Sequence, residues 1–474
     1  MQKLAEGSEN QVVVPDWLNY QARYSSDRLA LGCGDRAWSF AQLELAVNQT
    51  SASFQQIHPN AKIALLSKNC GEMLLNLLAI ARYGSTAILL NSRLSPIELT
   101  AQIAHSGASC LLYDPALSAL VEQIDFANCQ AFSHSPPQPR AAPEQLAQID
   151  LNRVQGIMFS SGTTGQPKPI PLTFGQHYHS ALALGMRLGF TSSDRILICL
   201  PLFHVGGLAQ VWRSLIWGMG MVLLPSFQPQ LVQAAIAQVT HISLVPTMLA
   251  RILAHPGFDP LPWQRLRCIL LGGAAPPPEL VQTCLELKLP IALSYGMTEA
   301  ASTVSLITPL ELAQSPHLSN SVGQPLICNQ VKIAEGEIWL QGSNLNGSGW
   351  YASGDLGYFD PQNYLHVLQR STDLIISGGE NIYPREIELI LLTHAAIADA
   401  CVVAQTDPVW GQSVGAVMVC AEALSLEQVQ DYCLSQGLAK FKLPKVIKCL
   451  EQLPQTATGK IDRTAVQKIL AQAQ

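Results

Sequence analysis

The chain has 474 residues, 48% of them hydrophobic and 13% charged, with a formal net charge of -6. That composition excludes a disordered or fibrous protein and gives enough chain for more than one domain around a large core. No long basic run is present, so binding to nucleic acid or to an anionic membrane surface is not expected, although a few placed cations can still hold a small anion.

The N-terminal MQKLAEGSENQVVV lacks the apolar stretch of a signal peptide, and no apolar run approaches the roughly 18 residues of a membrane span. A soluble, cytoplasmic protein is expected. Twelve cysteines are scattered from Cys33 to Cys449 without a CxxC pair, and most have apolar neighbours, as at Cys199 (ILICLPLF) and Cys268 (LRCILLGG). They are expected to be reduced thiols packed as small hydrophobes, not zinc ligands or disulfides.

After a polar start that reads as disordered, residues 17–130 alternate helical patterns with the apolar runs IALLS (63–67), AILLN (87–91) and CLLYD (110–114). Runs of this length between helices predict buried strands of a mainly parallel sheet. The stretch SHSPPQPRAAPEQ at 133–145 predicts an exposed linker between subdomains. A second α/β series begins at Gly156, with strands predicted at 195–201, 221–225, 241–246, 267–272 and 291–296. From Val322 short strands and tight turns, as in VKIAEGEIWLQG, predict a smaller β-rich unit, and a last α+β segment starts near Asp373. No repeat of solenoid length is present.

Ser160-Ser161-Gly162-Thr163-Thr164-Gly165-Gln166-Pro167-Lys168 follows the apolar run GIMF and reads as a strand-to-loop turn. Its glycines allow close backbone approach, its hydroxyls donate hydrogen bonds and Lys168 supplies a cation, which together suit a polyphosphate better than an ordinary polar turn. It is not the P-loop of kinases and GTPases, because no lysine directly follows its second glycine.

The string resembles the phosphate loop of the adenylate-forming superfamily of acyl-CoA synthetases, luciferases and peptide-synthetase adenylation domains. Stretches similar to that superfamily's other motifs follow in order: PLFHVGG (201–207), LGGA (271–274), YGMTE (295–299), SGDLG (353–357), Arg370 with Asp373, and TGK (458–460). The resemblance implies a large N-terminal domain, 1–372, of mainly parallel α/β subdomains plus a β-rich subdomain. A small mobile α+β domain, 373–474, follows it. ATP, Mg2+ and coenzyme A are the implied small molecules, and a homo-oligomer stays open.

By the same resemblance, Ser160, Ser161, Gly162, Thr163, Thr164, Gly165 and Lys168 hold the β and γ phosphates, Thr298 the α phosphate, and Glu299 the magnesium ion. An acidic residue beside a triphosphate makes sense only with a cation between them. Gly272, Gly273, Ala274, Tyr295, Gly296 and Met297 wall the nucleotide pocket, with Tyr295 against adenine. Asp355, read as lying in a glycine-flanked turn, takes the ribose hydroxyls, and Arg370 completes the ATP set. Taken alone, Glu299 could be a helix cap and Asp355 a turn residue bonding its own backbone. His204, in an apolar stretch where a lone histidine is usually a core residue, is placed at the acyl pocket. Its role there is substrate positioning, since a carboxylate needs no general base. Lys460, an ammonium point charge, reaches the carboxylate and the α phosphate. Asp373 is the hinge about which the small domain turns to present Gly378 and Gly379 to the pantetheine of coenzyme A.

LPLFHVGGL, WRSLIWGM, LVPTMLARIL, LRCILLGGAAPPP, YGMTEAASTV and DLIISGGENIYP are most similar to the o-succinylbenzoate–CoA ligase family of menaquinone and phylloquinone biosynthesis. A ligase for another aryl or medium-chain acid, or a non-catalytic nucleotide-binding homologue, is the alternative. The implied substrate is a dianion, and Arg213 bears on it directly. Arg213 interrupts VWRSLIW, and no acid lies between Gly206 and Gly220. A buried guanidinium needs a partner, which is either the substrate's ring carboxylate or a distant Asp or Glu. Ser302 and Thr303 are expected to add hydroxyl contacts to the acyl group. Departures from the superfamily pattern are Pro169 after the loop lysine, Gln369 before Arg370, Ser353 for a threonine, and a short link, GSNLNGSGW, at 342–350.

Overall fold

The computed structural model describes residues 12–132, 147–160, 168–370, 373–377, 380–407, 410–438, 440–456 and 460–472. Residues 1–11 of the polar start and the proline-rich stretch lie outside them, whereas Val13–Pro15, read as part of a disordered start, is a strand paired antiparallel with Gln148–Asp150. The chain forms two compact units: one runs to Gln330 and takes in Gln341–Gly349, while the other holds Val331–Leu340 and the chain from Trp350 onward.

The first unit carries both predicted α/β series. In a six-stranded sheet, Val154–Ser160, Thr86–Leu90, Lys62–Leu66, Cys110–Tyr113 and Cys129–Ala131 run parallel, and Lys168–Thr173 pairs antiparallel with Val154–Ser160. A nine-stranded sheet has Ile291–Met297, Cys268–Leu271, His241–Leu244, Arg195–Ile198, Gly220–Leu223 and Leu29–Cys33 parallel at its centre. Ser302–Ile307 and Arg36–Ser39 turn antiparallel beside them. The strand predicted over 195–201 stops at Ile198, three residues before Pro201, whose missing N–H cannot join a ladder. Gln324–Pro325 pairs with Ser302–Ile307 as an edge strand, so the β-rich region begins at Asn329 and not at Val322. Because the central strands are parallel, the loops after Ile198, Leu244, Leu271 and Met297 share one edge, where open α/β sheets bind ligands.

Helices α1 (Trp17–Tyr24), α2 (Phe40–Ala52), α3 (Gly71–Tyr83), α4 (Phe174–Leu188) and α5 (Val205–Trp217) are the helices of this unit that bear on the site. Trp17, Phe174 and Trp212 meet edge to face with centroids 5.6–5.9 Å apart, joining α1, α4 and α5. Successive helix residues point about 100° apart. Trp212, held in this aromatic triangle, therefore fixes the direction of its neighbour Arg213.

The second unit has a four-stranded sheet in chain order over Asn329–Ala334, Glu337–Gly342, Tyr351–Phe359 and Leu365–Arg370. Its five-stranded sheet is built on the long pair Ile397–Asp407 and Gly411–Cys420, with Val446–Leu450 parallel to the latter. Helix α6 (Pro384–Leu392) contributes Ile387 and Leu391 to one apolar layer, and α7 (Arg463–Ala471) contributes Val466 and Leu470 to another. No helix among the described residues is long and apolar enough to cross a membrane. All twelve cysteines are free; Cys199 and Cys268 are buried as expected, but Cys449 is exposed.

Arg82 of α3 ties the first three helices together. Its guanidinium meets both carboxylate oxygens of Glu44 at 2.8 and 2.9 Å and those of Asp16, the N-cap of α1, at 3.0 and 3.1 Å. Burial pushes the Glu44 carboxyl up, but Arg82 and the amides of Asn19 and Asn48 outweigh it and hold the group below its ordinary 4.5. Glu44 thus stabilises the fold fully above its unfolded value, and that contribution is lost as pH falls through its depressed folded value. Arg82→Met, which leaves Glu44 buried and unpaired, should cost about 3–5 kcal/mol in urea unfolding at neutral pH. Adding Glu44→Leu should restore most of that loss.

Candidate active site

The site is built on one turn. Strand Ile291–Met297 passes through the 3₁₀ turn Thr298–Ala300 and returns as Ser302–Ile307, with Ala301 at φ 48° and Ser302 at φ 105°. Neither residue is glycine, so left-handed backbone here needs outside support. Three side chains supply it. Gln176 Nε2 donates to the Glu299 carbonyl at 3.1 Å, Asn344 Nδ2 to Ala300 at 3.0 Å, and Ser180 Oγ to Ala301 at 3.0 Å. Gln176 has a second duty: its Oε1 accepts from Thr173 N in the capping box of α4. Sequence reasoning missed all three. The capping pattern Thr173–Gln176 was the available signal for Gln176, and Asn344 lies in the short link 342–350.

Against this turn stand the neighbouring strand ends. Gly296 is a site where only glycine fits, because a Cβ there would lie 1.8 Å from the Ser302 carbonyl oxygen. Tyr295 is buried beside it. On the next strand, Gly272 N donates to Leu244 O at 3.2 Å and Ser294 Oγ to Leu271 O at 2.8 Å, so Gly272, Gly273 and Ala274 leave a strand end already fixed. A Cβ on Gly272 would come within 2.8 Å of Ser294 Oγ. The glycine at 272 is therefore needed for close packing against Ser294. His204 is the N-cap of α5, half-buried, edge to face with Phe203 at 4.7 Å.

Arg213 is 2% exposed. Its Nη2 donates to Ser302 Oγ at 2.9 Å and to Thr303 Oγ1 at 3.3 Å. Among the described residues no carboxylate pairs with it, and its Nε has no hydrogen-bond partner. Burial lowers the guanidinium to about 10. The distant-acid alternative therefore finds no support here. Ser302 and Thr303, expected to touch the acyl group, are held by the cation itself. His177 on α4, also missed, is fully buried with both ring nitrogens lacking a partner among the described residues. Burial, then the Arg213 charge, push its imidazole down to about 3, so it is neutral and offers a single N–H.

Among the described residues no group of three or more His, Cys, Asp or Glu side chains could hold a metal ion. Glu299 offers a single carboxylate, which suits a magnesium ion that keeps water and phosphate oxygens as its other ligands.

The second unit holds other expected residues. Asp355 is on the strand Tyr351–Phe359 and not in a turn; it is buried, with Arg370 opposite it in the antiparallel ladder. The glycines misled: Gly354, at φ 73°, is accommodated within the strand, its N–H donating to Glu337 Oε1 at 2.8 Å. Ser353, the departure from threonine, donates to Ile338 O at 2.7 Å and accepts from Asp355 N at 3.0 Å. Lys460 is exposed, and its carbonyl accepts from Thr456 N at 2.7 Å. Three residues on, Arg463 Nη2 meets Glu388 at 2.6 Å and Arg463 Nε meets the expected hinge Asp373 at 3.4 Å. Ser160 closes one strand and Lys168 opens the next, paired in register. Ser161, Gly162, Thr163, Thr164, Gly165, Gly378, Gly379, Thr458 and Gly459 lie outside the described residues.

Residues 18–347 match the AMP-binding enzyme family and residues 386–460 the AMP-binding enzyme C-terminal domain. The chain is 34% identical to a 2-succinylbenzoate–CoA ligase of Bacillus cereus (strain Q1), covering 96% of this chain and 99% of that one. It superposes on the o-succinylbenzoate CoA synthetase MenE from Bacillus subtilis in complex with the acyl-adenylate intermediate OSB-AMP, with a TM-score of 0.84 and 34% identity over 96% and 98% of the two chains. The complex of that protein with ATP and magnesium ion gives a TM-score of 0.85 and 34% identity over 97% and 100%. The chain belongs to the AMP-binding enzymes and, among them, to the 2-succinylbenzoate–CoA ligase family.

Proposed function

We propose that the protein converts 2-succinylbenzoate, ATP and coenzyme A into 2-succinylbenzoyl-CoA, AMP and pyrophosphate, a step of menaquinone or phylloquinone biosynthesis carried out in the cytoplasm. The observation that carries the substrate assignment is Arg213, a buried cation whose bonded partners are two neutral hydroxyls. Hydroxyls orient a guanidinium without cancelling its charge. A ligand carboxylate would do so. Of the two carboxylates of the substrate, the aromatic one goes to Arg213 and the succinyl one, positioned by His204, remains free to react.

In the first half-reaction the succinyl carboxylate attacks the α-phosphorus and the bond to the bridging oxygen breaks, releasing pyrophosphate. An anion attacking an anion requires neutralisation and in-line alignment. Ser160, Ser161, Gly162, Thr163, Thr164, Gly165 and Lys168 bind the β and γ phosphates, Thr298 the α phosphate, Asp355 and Arg370 the ribose side, and Tyr295 with Gly272, Gly273, Ala274, Gly296 and Met297 the adenine. Magnesium, held by Glu299 and phosphate oxygens, would neutralise charge on the leaving group. Lys460 aligns the carboxylate with the α phosphate. In the second half-reaction the thiol of coenzyme A, approaching past Gly378 and Gly379, attacks the acyl carbon; AMP leaves with the electron pair and the thiol proton goes to solvent. The division into 1–372 and 373–474, hinged at Asp373, assigns Lys460 to the first step and the glycines to the second.

The direct test is AMP release with 2-succinylbenzoate, benzoate and octanoate, each with and without coenzyme A. Only 2-succinylbenzoate should be turned over efficiently, and AMP release should depend on the thiol. Comparable turnover of benzoate would overturn the substrate assignment and leave the ligase assignment standing. Arg213→Ala should reduce kcat/KM for 2-succinylbenzoate roughly 10- to 150-fold, the loss of one charge-assisted hydrogen bond, while the KM for ATP stays put. An analogue lacking the ring carboxylate should be poor for both proteins and nearly insensitive to the substitution.

Lys460→Ala separates the steps. It should abolish pyrophosphate exchange yet leave thioester formation from preformed acyl-adenylate within a few-fold of the parent. Equal loss of both half-reactions would remove Lys460 from its assigned step.

A further inference from the structure

Strands Gly411–Cys420 and Val446–Leu450 are parallel neighbours, with Met418 opposite Cys449 and Val419 opposite Leu450. Residues directly opposite in a parallel pair share a face, and so do residues two apart on one strand. Cys420, two beyond Met418, therefore shares the face of Cys449. The two Sγ atoms lie 2.8 Å apart. A second cysteine pair on adjacent strands shows that adjacency alone does not produce this. There Leu111 is opposite Cys129, so Cys110, one residue away, faces the other side of its sheet, and Cys129 Sγ instead donates to Phe126 O at 3.0 Å.

Accessibility also singles out the first pair. Of the twelve cysteines Cys449 alone is exposed, and Cys420 beside it is half-buried. Burial, then the hydrogen bond to Cys449 and its nearby charge, push the Cys420 thiol up to about 12. Cys420 therefore keeps its proton while its exposed partner meets solvent. The pair sits diagonally across the two strands, yet the side chains already close that diagonal, and the step to the roughly 2.05 Å of a disulfide is short.

We propose that Cys420 and Cys449 are a reversible dithiol–disulfide site, oxidised by small-molecule disulfides. The Cys449 thiolate attacks one sulfur of the oxidant, whose S–S bond breaks and releases one thiolate, leaving a mixed disulfide on Cys449. Cys420, losing its proton to solvent, then attacks the Cys449 sulfur and expels the second thiol. The protein loses two electrons and two protons, and the small disulfide becomes two thiols. The cross-link fastens the strand Val446–Leu450, from which the chain continues to Lys460, onto its neighbour. None of this depends on which acid the enzyme activates.

The test is incubation of the full chain with oxidised glutathione, followed by intact mass and peptide mapping. The parent should lose the mass of two hydrogen atoms, yield a cross-linked peptide containing Cys420 and Cys449, and return to its starting mass with dithiothreitol. Cys420→Ser should instead accumulate a stable glutathione adduct on Cys449, and Cys449→Ser should show neither change. A persistent glutathione adduct on the parent, no reaction at Cys449, or a cross-link mapped to other cysteines would each overturn the assignment.

Discussion

The backbone of a single turn carries more of this structure than any side chain displayed on it. Thr298 and Glu299 stand where the stretch Thr298–Ser302 puts them, and that stretch runs through two left-handed residues, Ala301 and Ser302, that would relax if left alone. Three consecutive carbonyls, of Glu299, Ala300 and Ala301, are each gripped by a buried amide or hydroxyl. A buried carbonyl deprived of its donor costs about 1–3 kcal/mol. The strain at the turn is thereby offset from outside the motif, by α4 and by a residue far along the chain.

The same turn connects Thr298 and Glu299 to the Arg213 cation. Ser302 and Thr303 follow it immediately and hold Arg213, whose helix is oriented through Trp212 by the aromatic triangle with Trp17 and Phe174. A change in the turn therefore reaches the cation as well as Thr298 and Glu299. His177, neutral and buried on the adjoining helix, leaves the positive charge of Arg213 uncancelled. Neutral neighbours thus aim the charge without cancelling it, which is what the proposed recognition of a ligand carboxylate requires.

Much of this was legible in the sequence. Apolar runs bounded by turn residues located the parallel strands, because a strand buried on both faces has no alternation to obscure it. Arg213 stood out for the same reason, as one charge in an otherwise apolar helix. What escaped were residues whose value lies in distant partners. Gln176 reads as a helix cap, Ser180 as a small helix residue and Asn344 as loop, and local pattern does not reveal hydrogen bonds across 123, 121 and 44 positions. Asp355 was misplaced because glycine on both sides is a turn signal, and only the ladder to Leu365–Arg370 shows that the strand continues through it. Likewise Cys420 and Cys449 look like two isolated thiols until strand register places them on one face.

Asn344 has a consequence for how the molecule is made. It belongs to the first compact unit, yet Val331–Leu340, which belongs to the second, precedes it in the chain. A ribosome therefore delivers a strand of the later unit before it delivers the residue that completes the turn of the earlier one. The first unit cannot finish vectorially while its nucleotide edge lacks the donor to Ala300, and the nascent chain must carry an unfinished turn until the link 342–350 has emerged. A truncation just ahead of that link would leave most of the core of the first unit but not the donor that sets its turn.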